Sequence, residues 1–531
     1  MKIVPKQQKI FFDFLRFCIS SAKEIPDSLK EADWKELYAI AQKQCLVGVL
    51  FDGIKKLPAE YVGIEKELLL QWMAESQMLE KANVWLNDAA IQVSEWFRKK
   101  GFRTCILKGQ GNALMYPNPY SRTPGDIDIW VEGEDKRVIS FVRSISPHEK
   151  ACYHHIEFPS YKGVEVEVHY RPSFLLCFWH NRKLQKYYDR VKEEQFSHRV
   201  MLGEQGEIAI PTVVFNLIFQ LTHIYAHLMN EGIGLRQLVD YYYVLCDFYK
   251  VYQNSSKITP SLFFDKASCT RQFESELSLH SLASLFPLKE GSTSHPDPLS
   301  MVFTPPSVPP FPGDRNLRGE GGNRPTRCCI CPTCPSPAGG SLTHSQALAL
   351  SKRARDVTAP SRCSEPLRSK DGGPSKVSPD SAGWDRRDAI GDMTSATAST
   401  DSSATAARSS STAIDRVQEE LKELGLWKFA GGIMYIMQEV FGMLASRLIV
   451  PPNEKYGKFV LNEVLEAGNF GRHDARNRFG RSKLGHNLQR VYRDIRLVRY
   501  FPGEALCEPF FRIWHYFWRL KHRRQSLGVF S

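Results

Sequence analysis

An α+β fold is what this 531-residue sequence predicts: a small mixed β-sheet core flanked by N- and C-terminal helical regions, with a long disordered insertion. Three observations carry that prediction. Apolar and polar residues alternate strictly at Gly163–His169, and the run Ile127–Val131 is strand-like, with two acids beside its apolar residues. Apolar stripes at helical spacing fill both ends of the chain. Residues 254–414 are rich in Ser, Thr, Pro, Gly and Ala, with almost no sustained apolar period, so they cannot bury enough surface to fold. The length corresponds to about three domains of ordinary size, and 42% hydrophobic with 24% charged residues is a soluble globular composition.

Residues 1–100 read as an N-terminal helical region. Ile10, Phe11, Phe14, Leu15 and Cys18 line one helical face, Asp33 suits the cap of a second helix through Trp34, Leu37 and Ile40, and a longer pattern runs from Lys66 to Lys99. Residues 101–211 form the sheet, with a helix over Asp135–Ser144 and a further strand near Glu207–Pro211. Residues 212–253 are a helix pair packing on that core. Within it, His223 and His227 stand at i and i+4, a spacing that can ligate zinc, although Ile-Tyr-Ala between them lacks the glutamate of a metalloprotease helix. A packing role, or a place for His223 on the border of a binding site, is the expectation. Arg236 and Asp240 are placed to pair along the second helix.

The segment 254–414 is expected to be a foreign insertion, and intact mass of the native protein tests that directly. Its Cys328, Cys329, Cys331 and Cys334 have no second Cys-x-x-Cys pair at finger spacing, so zinc is not the expectation there. Residues 415–531 return to helices. Thr412 or Asp415 is the expected cap of the first, Phe429–Val450 reads as a buried amphipathic helix rather than a membrane span, and the aromatic run Phe510–Trp518 is expected to dock on its neighbours.

The formal charge of +12 is concentrated after Gly471, from Arg472 to Arg499. Such a surface fits RNA, an anionic membrane surface or phosphates, with a solvated basic helix as the plain alternative. Thirteen cysteines without a paired framework point to free thiols in a reducing, cytoplasmic setting. The N-terminus is basic and then apolar, but Asp13 and Arg16 interrupt it, which argues against a signal peptide.

The chemistry is expected between Thr104 and His169. Cys105-Ile-Leu107 ends at Lys108-Gly109, and helical spacing follows through Ala113, Leu114 and Tyr116. Glycine lets a backbone approach a ligand closely, and a helix starting there offers free N–H groups to phosphate. Side chains two apart on a strand share a face about 6.6 Å apart, so Asp126 and Asp128 point the same way. Paired carboxylates can hold Mg2+, a hard cation that takes oxygen ligands. Glu165, Glu167 and His169 share a face of the later strand, and Glu167 is the choice for a third acid, as ligand or base. His169 is expected either to line the site or to bond a neighbouring loop.

Leu-Lys-Gly109, then Arg122, then Gly-Asp-Ile-Asp128, then Glu-Val-His169 resembles the polymerase-beta-like nucleotidyltransferases. More narrowly, it resembles an uncharacterised bacterial family in which Lys-Gly replaces the usual Gly-Ser. The resemblance extends to the flanking helices and the C-terminal half, excepting 254–414. It implies transfer of a nucleoside monophosphate from an NTP to an acceptor hydroxyl with two Mg2+ ions. Asp126, Asp128 and Glu167 would be catalytic and metal-binding, with Lys108, Gly109, Arg122 and Arg236 at the nucleotide. Lys108 or Arg122 would replace the grip of the absent serine. The acceptor is left open among small molecule, protein and RNA. Two rivals remain: a non-catalytic nucleotide-binding module, and an RNA-binding protein acting through its basic C-terminal region.

Overall fold

The N-terminal region is helical, as its stripes require. The computed structural model of the protein describes residues 5–20, 24–61, 63–204, 206–254, 413–476 and 483–524. Helices α1 (Pro5–Ile19), α2 (Trp34–Gln44), α3 (Val47–Ile54) and α4 (Lys66–Lys99) come first. Asp33 caps α2 by accepting the Glu36 N–H, as its position predicted. The 34-residue α4 serves two cores. Leu69 and Trp72 join α1–α3 in one apolar cluster, while Leu86, Ala90, Val93 and Phe97 cover one face of the sheet.

Four strands make that sheet: β1 (Thr104–Ile106), β2 (Ile127–Val131), β3 (His155–Tyr161) and β4 (Val164–His169), in the order β1-β2-β4-β3. β2 runs parallel to β4, and the other two pairings are antiparallel. Ile127, Ile129 and Val131 pack with Val166 and Val168 beneath α4 and α6 (Asp135–Ile145). Asp128 and Trp130 therefore face the opposite side, where Trp130 meets Phe196 and Phe215.

Several elements were not foreseen. β3 is an edge strand, the place where a strand tolerates Pro159, and its register shifts between Phe158 and Tyr161. The polar helix α7 (Phe178–Ser197) and strand β5 (Arg199–Leu202) also lacked a clear apolar period. β5 pairs with β6 (Gly206–Ala209), the strand placed near Glu207.

Helices α8 (Val213–Asn230) and α9 (Leu235–Asn254) follow. The insertion assigned to 254–414, with its cysteine cluster, lies outside the described residues except at its ends. The chain is described again in a helix over 413–423, so Asp415 sits inside that helix and is not its cap. Thr412 is outside the described residues. Val417, Leu421 and Leu424 share one apolar cluster with Phe248 and Tyr249 of α9. Later helices are Trp427–Glu439, Glu454–Ala467, Lys483–Val498 and Pro502–Arg524.

The stretch Phe429–Val450 is not one helix. Helix ends at Glu439, and Gly442 turns the chain at φ 68° before a 3-10 turn at Ala445–Arg447. Nor does the aromatic end dock on all sides. Phe511 and Trp518 pack inward, whereas Phe510 is 75% exposed and Ile513 and Phe517 also face solvent. Among the described residues, no helix is long and apolar enough to cross a membrane.

Candidate functional site

The site grows from two strand ends that the topology sets side by side. β1 runs out through Leu107 to Lys108, and Gly109 then takes φ +47°, a left-handed value that glycine adopts without strain. A side chain there would also lie 3.8 Å from the carbonyl oxygen of Asp126. The helix that follows, α5 (Gly109–Ala113), is only five residues long, shorter than its spacing predicted. What it offers a ligand is a few backbone N–H groups, since so short a helix sums little dipole.

β2 and β4 are in parallel register with Asp128 opposite Glu167. Asp126 precedes β2 and points to the same side. One carboxylate oxygen from each of Asp126, Asp128 and Glu167 falls within a span of 4.8 Å. The three expected acids therefore converge. Lys108 is drawn among them, with Nζ 2.8 Å from Asp128 Oδ1 and 3.2 Å from His223 Nε2. His223 thus borders the site, as one of its two expected roles required.

His169 does both things proposed for it. Nε2 lies 3.0 Å from Asp128 Oδ1 and 3.4 Å from Glu167 Oε2, while Nδ1 lies 3.3 Å from the carbonyl of Arg171. His155 adds a second imidazole, with Nδ1 3.3 Å from Glu167 Oε2. Sequence reasoning missed His155 because β3 was not recognised. The pair His154-His155, two residues after Cys152, was the available signal.

These neighbours set the charges. Burial alone would raise the carboxyl of Asp128, but the ammonium of Lys108 and the imidazole of His169 hold it well below the usual range. Burial likewise works against ionised Glu167, and His155 with His169 brings it below its ordinary value. Asp126 moves the other way, pushed up to about 6 by confinement and then by the charge of Asp128. Burial and the adjacent Lys108 push His223 down, leaving a neutral ring.

The two arginines part company. Arg122 and Asp240 are both 4% exposed and form a two-pronged pair, Nε–Oδ1 and Nη2–Oδ2 each 2.8 Å. The Tyr116 hydroxyl donates to the same Oδ1 at 2.6 Å. Asp240 therefore pairs across to the β2 approach, not along its helix with Arg236. Arg236 Nη1 instead donates to the carbonyls of Thr123 and Pro124 at 3.1 and 3.4 Å, and its Nε has no hydrogen-bond partner. The Arg236 guanidinium lies against the Gly125-Asp126 turn, with Nη1 3.7 Å from where a Gly125 side chain would begin.

The model of a family described as "Uncharacterised nucleotidyltransferase" matches residues 30–258. Over those residues the chain is similar to that family, and the match takes in every residue from Lys108 to Arg236 discussed above. No curated protein and no solved structure matches the chain.

Proposed function

We propose that this protein moves a nucleoside monophosphate from an NTP to an acceptor hydroxyl, with Mg2+ held by Asp126, Asp128 and Glu167. The observation that carries the reading is the gathering of three carboxylates within 4.8 Å beside an inserted lysine ammonium. The donor set fits hard divalent cations, being all oxygen, with two of the three acids held ionised by their neighbours. Two Mg2+ ions bound there would supply charge for the attacking and leaving oxygens of phosphoryl transfer.

The chain's own residues divide the remaining work. Glu167, held low by two imidazoles, is a poor proton acceptor and serves as a ligand. His169 fixes Asp128 and Glu167 relative to one another. Gly109 lets the backbone approach the triphosphate, and Lys108 neutralises its charge. Arg236, with an unspent Nε beside the Asp126 turn, is the stronger phosphate-binding choice. Arg122 is committed to Asp240 and acts by holding the approach to β2 in place.

Seven free cysteines among the described residues fit a reducing, cytoplasmic setting. The acceptor stays open among small molecules, protein side chains and RNA ends. Two arginines of the basic C-terminal region are already engaged within the protein, which counts against an RNA surface there. Arg476 pairs with Asp474 and Glu463, and Arg493 donates to the carbonyls of Asn230 and Glu231.

The test is incubation of full-length protein with labelled NTPs, Mg2+ and a panel of acceptors. Transfer should occur and should fall at least about 10²–10³-fold in Asp128→Asn. Tight nucleotide binding without transfer to any acceptor would instead mark a non-catalytic module.

A further inference from the structure

Well away from the three acids in sequence, two long helices bring their first turns together. Cys177 stands just before the first turn of α7, and His180 follows three residues later; Glu504 lies in the first turn of the helix Pro502–Arg524, and Cys507 follows three residues later. Residues at i and i+3 share a helix face, so each turn presents a pair. Cys177 Sγ, a His180 ring nitrogen and a Glu504 carboxylate oxygen lie within 4.8 Å of one another. The Cys507 thiol lies near that of Cys177. We infer that Cys177, His180, Glu504 and Cys507 form a binding site for a zinc-class divalent cation, tying the C-terminal helix to the catalytic half of the chain.

The donor chemistry is that of a closed structural site: two thiols, one imidazole and one carboxylate, which together fill a tetrahedron. The supporting contacts are already in place. Glu504 Oε2 accepts the backbone N–H groups of Leu176 and Cys177 at 2.6 and 3.1 Å, so its Oε1 is turned toward His180 Nδ1, 3.5 Å away. Held this way, a carboxylate keeps one oxygen oriented for a ligand. The His180 ring lies so close to Gly425 that a side chain there would begin 2.3 Å from its Cε1. Glu504 is 4% exposed, so its carboxylate is enclosed with these donors.

Full-length protein, purified without chelator or affinity histidines, should carry one zinc per chain by elemental analysis. Exchange with Co2+ should give the strong visible bands of a four-coordinate ion and a thiolate-to-cobalt charge-transfer band. Cys177→Ser and Cys507→Ser should each weaken zinc by on the order of 100-fold or more and diminish that band, with circular dichroism checking the fold. A Cys328→Ser/Cys331→Ser variant should keep both metal and band. So should Asp128→Asn, so this site stands or falls separately from nucleotidyl transfer. Absence of the charge-transfer band from the wild-type protein would overturn the inference. A band lost only with Cys328 and Cys331, or a Cys177–Cys507 disulfide found by peptide mapping, would do the same.

Discussion

Asp240 makes no contact with the three acids, yet the approach to β2 depends on it. Its carboxylate takes two prongs of buried Arg122 and the hydroxyl of Tyr116. Asp240→Asn leaves a guanidinium enclosed without a counter-charge, and we expect a loss of about 3–5 kcal/mol in urea denaturation. A loss under about 1 kcal/mol would mean that water reaches the pair. Burial raises the carboxyl of Asp240, but Arg122 outweighs it and holds it below the ordinary carboxylate value. Its contribution to stability is therefore present above about pH 4 and is lost only as pH falls through the lower folded value. Asp126, pushed up to about 6, has the opposite sign. What it adds to the stability of the metal-free protein is full below about pH 4 and is lost as pH rises through 6. A cation must compete with that proton, so Mg2+ affinity by calorimetry should fall as pH drops below about 6, approaching tenfold per pH unit. A flat affinity between about pH 5 and 7 would exclude Asp126 as a ligand.

At the scale of elements, legibility followed local pattern and stopped at pairing. β4 could be read because Val164, Val166 and Val168 alternate with Glu165, Glu167 and His169. The helical stripes of α1, α2 and α4 were equally plain, and so was the Asp33 cap. That β4 lies parallel to β2, with Glu167 beside Asp128, could not be read, because the neighbour of β4 in sequence is β3. β3 was hidden by Pro159 and by its turn, Lys162-Gly163, where both residues have positive φ. Such a two-residue turn is usually announced by Asn-Gly or Asp-Gly, and lysine in the first position masks it. Arg122 was expected at the nucleotide, whereas its partner is Asp240, 118 residues away and beyond any local rule. The glycine turn was read correctly and has a testable cost. Gly109→Ala should destabilise by about 1 kcal/mol in thermal denaturation, because alanine resists the left-handed region. Transfer should fall further than that loss explains, since a strained turn no longer holds its backbone N–H groups in place beside Asp126.

Taken whole, the large apolar core is built from both sides of residues 254–414. Phe248 and Tyr249 of α9 share it with Val417, Leu421 and Leu424, and Arg16 of α1 bonds the carbonyls of Glu439 and Val440. Loop length costs little once the ends are held together. Replacing residues 258–410 with a short glycine-serine linker should therefore leave the melting temperature within a few degrees, about 1 kcal/mol for a chain this size. Failure to fold would make that stretch part of the core. The two flanks also join without it through the carbonyls of Val464 and Leu465, which accept from Gln44 and Lys43. Covalent continuity is then dispensable: expressed as separate polypeptides, 1–254 and 413–531 should find each other and co-purify as a heterodimer, neither half being soluble alone.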